Sequence, residues 1–263
     1  MKRELQVFLT SLMFYTRIPC GRWVRHEGGL LNEATRYLPL VGWIVGGVSA
    51  AVFWTGTYLL GAPLGLLLSM AAGVLVTGAF HEDGFADFCD GFGGGWTKEK
   101  ILEIMKDSRT GSYGVAGLVL LLLAKFLALQ QLLEGVTADP AFVFLLFMTA
   151  HAASRFTAAT FIFTHAYIRP AGDSKVKPVA HKTHPATLYL SLVFALLPLA
   201  ALAAYTGKPV LFAVAIPLFL LHHFLGRYFT KWIGGYTGDC LGAAQQLAEI
   251  VIYLTCIVVW KFT

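Results

Sequence analysis

Four of the fifteen acidic residues fall within nine positions of the stretch His81-Glu82-Asp83-Gly84-Phe85-Ala86-Asp87-Phe88-Cys89-Asp90-Gly91-Phe92-Gly93-Gly94-Gly95. On a helix, Asp83, Asp87 and Asp90 stand at i, i+4 and i+7, which stacks three carboxylates on one face. Like charges so placed repel, and a bound cation is the simplest compensation. Oxygen-only donors suit Mg²⁺ or Mn²⁺ better than zinc or copper. The bland alternative is a solvated helix end whose acids interact with Lys98, Lys100 and Lys106. It fares poorly if the preceding apolar helix continues through Asp90, because its acids then sit at a C-terminus and oppose the helix dipole. Phe85, Phe88 and Phe92 moreover point to a partly embedded site.

Two further polar islands carry chemistry. Lys106-Asp107-Ser108-Arg109-Thr110-Gly111-Ser112-Tyr113-Gly114 leads directly into an apolar run. Lys and Arg can neutralise phosphate oxygens there, Arg as a bidentate fork, while hydroxyls and a helix N-terminus add neutral donors. Beside aligned aspartates, such a stretch suits a diphosphate substrate, which needs both a divalent metal and cations. Gly234-Gly235-Tyr236-Thr237-Gly238-Asp239-Cys240-Leu241-Gly242-Ala243 opens the last apolar run, with Gln245 and Glu249 sharing a face beyond it. Asp239 is placed to cap that helix, and a carboxylate at membrane depth such as Glu249 is by default functional. Arg155, inside another apolar run, is expected to face the interior and pair with an acid or a substrate phosphate; Lys125 does likewise or snorkels. The histidines at 151, 165, 181, 184, 222 and 223 show no metal spacing and read as structural, whereas His81 is placed to orient a ligand or a proton.

The elements that position these groups follow from composition. With 57% hydrophobic and only 13% charged residues, the chain cannot be a water-soluble globule, and it reads as an all-α polytopic membrane bundle forming one domain over residues 1–263. Seven predicted spans run from Leu38 to Leu60, Leu64 to Phe80, Tyr113 to Leu133, Ala141 to Thr164, Thr187 to Tyr205, Val210 to Leu225, and Gly242 to Trp260. Basic residues alternate across this scheme. Lys2, Arg3, Arg17, Arg22, Arg25, Arg36, Lys98, Lys100, Lys106, Arg109, Arg169, Lys175, Lys177, Lys182, Arg227 and Lys231 fall on one side, and only Lys208 and Lys261 on the other. The rule that short cytoplasmic loops are basic makes the N-terminus cytoplasmic, the C-terminus external and the acidic cluster cytoplasm-facing. The net charge of +5 therefore reflects those loops rather than a nucleic-acid partner. The apolar stretch from Leu5 to Ile18 lacks a small-residue cleavage site and reads as a retained interfacial or re-entrant helix. Cys20, Cys89, Cys240 and Cys256 are scattered and suggest neither a zinc knuckle nor a disulfide framework.

Taken in order, His81-Glu-Asp-Gly-Phe-Ala-Asp with Asp90-Gly-Phe-Gly-Gly-Gly, Ile104-Met-Lys-Asp-Ser-Arg-Thr-Gly-Ser-Tyr-Gly114 and Gly235-Tyr-Thr-Gly-Asp-Cys-Leu-Gly-Ala243 closely resemble the cobalamin synthase family, the adenosylcobinamide-GDP ribazoletransferases. Phe14-Tyr-Thr-Arg-Ile-Pro19 and Arg36-Tyr-Leu-Pro-Leu-Val-Gly42 extend the likeness over nearly the whole chain. The resemblance implies the last nucleotide-loop assembly step of cobalamin synthesis in a prokaryotic inner membrane. A hydroxyl of α-ribazole, or of its phosphate, attacks adenosylcobinamide-GDP, releasing GMP and giving adenosylcobalamin or its phosphate, with Mg²⁺ or Mn²⁺ required. It further implies Asp83, Asp87 and Asp90 as metal ligands with Glu82 as a fourth, and Lys106 and Arg109 as phosphate-holding, joined in the substrate site by Asp107, Ser108, Arg155 and Gly238. Asp239 and Glu249 would complete the site as ligands or as the base, a role open also to one of the other aspartates. Other cobalamin-assembly enzymes are expected to dock on the basic face.

Three rivals share part of this pattern. A CDP-alcohol phosphotransferase also opens with Asp-Gly-x-x-Ala but expects Arg where Asp87 stands. A prenyltransferase with paired acidic motifs needs a comparable cluster in the second half, where only Asp239 and Glu249 occur. A secondary transporter predicts inverted repeats and acids at the bilayer midplane, and explains no phosphate-type loop.

Overall fold

The computed structural model describes residues 3–24, 30–134, 139–168 and 185–263. Of the residues weighed above, Lys2, Arg25, Arg169, Lys175, Lys177, Lys182, His181 and His184 lie outside them. The chain is helical in chain order as α1 (Arg3–Tyr15), α2 (Leu30–Ala34), α3 (Leu38–Leu60), α4 (Ala62–Thr77), α5 (Phe80–Gly94), α6 (Lys98–Lys106), α7 (Ser112–Leu133), α8 (Pro140–Thr164), α9 (Pro185–Thr206), α10 (Ala215–Ile233) and α11 (Gly238–Phe262). Six stretches are long and apolar enough to cross a bilayer, and the bent pair α4–α5 brings the number to seven. The polytopic helical bundle expected from composition is the fold. Local starts obey helix chemistry: Pro39, Pro63 and Pro140 occupy first turns, where a missing N–H costs nothing. Asp139 caps α8 by accepting from Phe142 N at 3.1 Å, and Thr237 caps α11 through Cys240 N.

The second predicted span is corrected. The helix does not run on to Asp90; it stops at Thr77, and the chain turns through left-handed Gly78 (φ 66°) and Ala79 (φ 59°) into α5, bent by 89° from α4. Arg17 N, just beyond α1, donates to Val76 O at 2.7 Å and packs its side chain against Gly78, bracing the elbow. Ala79 is the only non-glycine residue with positive φ among those described, a backbone strain of about 1–3 kcal/mol that the surrounding contacts must offset. One consequence reverses the dipole argument. Glu82 and Asp83 now lie in the first turn of α5, where negative charge is favoured.

Two smaller boundaries also move. The sixth span opens with a 3₁₀ turn at Pro209–Val214 and continues to Ile233 rather than ending at Leu225. The seventh begins at Gly238 rather than Gly242, which brings Asp239 into its first turn. With 13 residues, α1 is about 20 Å long, too short to cross a hydrocarbon core of about 30 Å, and it packs against α2 and α3 as the expected non-spanning helix.

Helix α8 is the hub, packed by α3, α9 and α11. Gly42 and Gly46 of α3 lie so close to α8 that a Cβ would fall 2.5 Å from His151 O and 2.8 Å from Phe147 C. The same device joins α5 to α11: a Cβ on Gly84 would stand 3.0 Å from Asp239 Cα, and one on Gly242 would stand 3.0 Å from His81 O. One end of the bundle therefore gathers the elbow, α6, the start of α7 and the start of α11. The close of α8 joins them, because Tyr236 N donates to Ala166 O and Ile168 N to Tyr236 O. The opposite end is tied by Tyr205 with Asp139 and by Lys208 with Thr263.

Gly84→Val should force α5 away from α11. We expect a loss of about 1–3 kcal/mol from overpacking, read as a lowered thermal midpoint in detergent. An unchanged midpoint would show that this crossing is not tight.

Candidate active site

Helix α5 carries Asp83 exposed, Asp87 half-buried and Asp90 buried. Because glycines meet at the α5–α11 crossing, Asp239 on the first turn of α11 comes up beside the first two. The charge neighbours that act on Asp87 are, in falling order, Asp239, Asp83 and Asp90, and Asp83 acts in turn on Asp239. Among the described residues no set of three His, Cys, Asp or Glu side chains converges on one ion-sized point. Mg²⁺ asks less of a protein than that. It keeps several waters and is typically held by one or two carboxylates together with substrate phosphates, so Asp83, Asp87 and Asp239 fit such an ion by donor type and mutual repulsion.

Asp90 has a different occupation. Its Oδ2 accepts from Gly111 N at 2.6 Å and its Oδ1 from Gly114 N at 2.8 Å, so both oxygens hold the backbone that enters α7. A Cβ on Gly111 would come within 2.5 Å of Asp90 Oδ1, which explains why glycine stands there. The stretch 106–111 is thereby moored to the acidic helix. Within it, the Arg109 guanidinium grips Asp107 through Nε–Oδ1 at 2.9 Å and Nη2–Oδ2 at 2.5 Å. That grip holds the Asp107 carboxyl down to about 2. Lys106, Ser108 and Arg109 are exposed on the same end of the bundle as Asp83. Gly238, also exposed, begins α11 beside them, with open space where a Cβ would be.

Glu82, Glu249 and Arg155 do not join that cluster. The structure sends them inward to a second polar centre that sequence reasoning left unassembled. Glu249 pairs with Lys125 at 3.1 Å and accepts from Gln245 at 3.0 Å and Tyr253 at 3.3 Å. Lys125 Nζ also donates to Gln246 Oε1 at 2.5 Å, and Gln246 Nε2 donates to Glu82 Oε1 at 2.9 Å, which ties the network to α5. Lys125 is buried and does not snorkel. Arg155 hydrogen-bonds His151, through its carbonyl at 3.0 Å and its ring at 3.1 Å, rather than an acid. These groups surround a cavity of about 40 Å³, room for a few waters at roughly 10–15 Å³ each. Glu82 Oε2, Arg155 Nε and Gln245 Oε1, buried at its edge, have no protein partner. The signal available in sequence was the i, i+4 repetition of polar residues within apolar spans, His151 with Arg155 and Gln245 with Glu249.

The family model described as cobalamin-5-phosphate synthase matches residues 7–257, which include every group placed above. The chain belongs to that family. Curated relatives named adenosylcobinamide-GDP ribazoletransferase agree along almost their entire length. That of Shewanella frigidimarina is 46% identical over 98% of this chain and 96% of its own. The Shewanella sp. ANA-3 relative is 45% identical over 98% and 95%, and the Shewanella amazonensis relative 43% identical over 99% and 98%. No solved structure matches the chain. For this cobalamin-5-phosphate synthase family member, the motifs that carried the resemblance map onto α5, the start of α7 and the start of α11, all at one end.

The inner network yields a prediction of its own. Lys125→Met leaves the buried Glu249 carboxylate without its cation and should destabilise the protein by about 3–5 kcal/mol, whereas Lys125→Met with Glu249→Gln should recover much of that loss. Thermal midpoints of the two singles and the double in detergent test the coupling, and strict additivity would show that the pair does not interact.

Proposed function

We propose that this protein transfers α-ribazole, or α-ribazole 5′-phosphate, onto adenosylcobinamide-GDP with release of GMP, forming adenosylcobalamin or its phosphate. The observation that carries the reading is the joining, by Asp90, of a basic, hydroxyl-bearing loop to a helix whose Asp83 and Asp87 lie near Asp239. The near full-length relatives named adenosylcobinamide-GDP ribazoletransferase support the choice of substrates. The reaction is a phosphoryl-type displacement: a ribazole hydroxyl oxygen forms the new P–O bond, and the bond from that phosphorus to GMP breaks. No covalent group from the protein is needed, so positioning and charge neutralisation do the work.

Each residue takes a distinct part. Lys106 and Arg109 grip phosphate oxygens, with Ser108 and the backbone at the start of α7 as neutral donors. Asp83 and Asp87, with Asp239, would hold Mg²⁺ or Mn²⁺, which when bound neutralises charge developing on the diphosphate. Asp239 is also the carboxylate best placed to accept the hydroxyl proton, since Glu249 is engaged by Lys125. Asp90 and Asp107 hold the loop and its arginine in shape. The basic character of this end supports a cytoplasm-facing site in a prokaryotic inner membrane, with the N-terminus inside. That basic face is also where neighbouring enzymes of the same synthesis would dock.

The test is transfer by purified, lipid-reconstituted protein supplied with adenosylcobinamide-GDP, ribazole and Mg²⁺. GMP and adenosylcobalamin should form together. Chelation should stop both, and Asp83→Asn or Asp87→Asn should lower kcat/KM by about 10²-fold or more. Consumption of a CDP-alcohol in place of adenosylcobinamide-GDP would overturn the reading.

A further inference from the structure

A second cavity, of about 170 Å³, lies immediately beside the acidic cluster, between α1, the start of α5, α8 and the start of α11. Its walls are aromatic. Phe14 and Tyr15 meet Phe80 edge-on at 5.7 Å on one side, and Tyr167 meets Tyr236 at 5.5 Å on the other. Tyr236 is 1% exposed, and its hydroxyl has no hydrogen-bond partner among the described residues. A buried, unsatisfied phenol costs about 1–3 kcal/mol, so a hydroxyl left idle in a mainly aromatic and aliphatic chamber, whose other polar lining groups are His81, Tyr15 and Tyr167, marks a place where a ligand atom belongs. The rim is Gly238, with open space at its Cα, and the next residue is Asp239.

We infer that this chamber seats the dimethylbenzimidazole ring of ribazole. The inference rests on the transfer reading and deepens it by placing the nucleophile's base. Three chemical arguments select that occupant over the other parts of the two substrates. The corrin macrocycle is far too large for 170 Å³. Guanine carries an amide, an amine and several ring nitrogens, more polar groups than walls offering one imidazole and three phenols among aliphatic and aromatic side chains can pair, at a cost of some 1–3 kcal/mol for each left over. A dimethylated bicyclic ring presents flat apolar faces to Phe14, Phe80 and Tyr167 and needs only a donor for its free ring nitrogen, which the Tyr236 hydroxyl supplies. With the base inside and the glycosidic bond at Gly238, the ribose emerges over Asp239. Its hydroxyl then faces the same carboxylates that flank the diphosphate, so the chamber orients the attacking oxygen.

Two variants and one probe test this. Ala158→Leu fills the chamber from α8, and Tyr236→Phe removes only the hydroxyl. Dimethylbenzimidazole alone, in equilibrium dialysis with the whole detergent-solubilised protein, should bind the wild type and be displaced by ribazole but not by guanosine. Ala158→Leu should abolish that binding and raise the KM for ribazole by about tenfold or more, leaving the KM for adenosylcobinamide-GDP within about twofold. Tyr236→Phe should weaken the probe and raise the ribazole KM by about three- to tenfold; it decides the matter if the filled variant does not fold. Equal probe binding by wild type and both variants, or a ribazole KM that neither changes, overturns the inference while leaving the transfer reading intact. A wild type that binds the probe in this pattern yet makes no adenosylcobalamin overturns the transfer reading and keeps the chamber.

Discussion

Gly84 and Gly242 let α5 lie directly on α11, and the geometry of the candidate site depends on that contact. Were side chains interposed, Asp239 would be held off from Asp83 and Asp87 by the width of a residue, and three carboxylates would no longer share one electrostatic neighbourhood. Close packing supplies the dispersion energy that brings like charges together. The elbow at Gly78–Ala79 serves the same end, because only a helix turned by 89° from α4 can lie across the first turn of α11. Arg17, fixed to Val76 from the segment after α1, keeps that turn from relaxing.

The inner network then fixes the rotation of α5 about its own axis. Adjacent residues on a helix are about 100° apart, so a residue pinned inward turns the next one away. Gln246 holds Glu82 towards the centre, and Asp83 is accordingly exposed. Burying Lys125 and Glu249 carries a desolvation cost that their attraction alone need not recover. Gln245 and Tyr253 donate to Glu249, Lys125 donates to Gln246 and Gln246 to Glu82, which links α5, α7 and α11 into one unit, with Gln245 reaching Ser154 of α8. A pair that adds little stability can still hold four helices in a single register.

What was legible in the sequence was local. The i, i+4, i+7 spacing of Asp83, Asp87 and Asp90 belongs to α5 alone, so it survived the failure of the expectation that placed those residues at the end of the preceding span. The elbow was not legible because hydropathy runs unbroken through Phe80, and nothing in the propensity of Ala79 announces a left-handed turn. The part Asp90 plays in holding the start of α7 was not legible because its partners there, the N–H groups of Gly111 and Gly114, are more than twenty residues away. Lys125 and Glu249 are each legible as charges within apolar runs, yet their pairing depends on how α7 meets α11, which no periodicity encodes. Glu249 consequently read as part of the outer site, whereas its cation draws it into the core.

The arginine of the loop illustrates how such a site can stand ready without being closed. Arg109 is exposed and already paired with Asp107 in a bidentate fork. An exposed ion pair is worth only about 0–1 kcal/mol, so exchanging a carboxylate for a phosphate at the same fork costs little. A diphosphate carries more charge than Asp107 and presents the same planar pair of oxygens, which favours the exchange. Asp107 therefore keeps the guanidinium spread and oriented on the loop, the geometry from which the proposed transfer would recruit it. The loop itself cannot drift in the meantime, because Asp90 grips its backbone from the acidic helix. The two aspartates thus separate two tasks that a bare basic loop would confound, one anchoring the chain and the other presenting the charge.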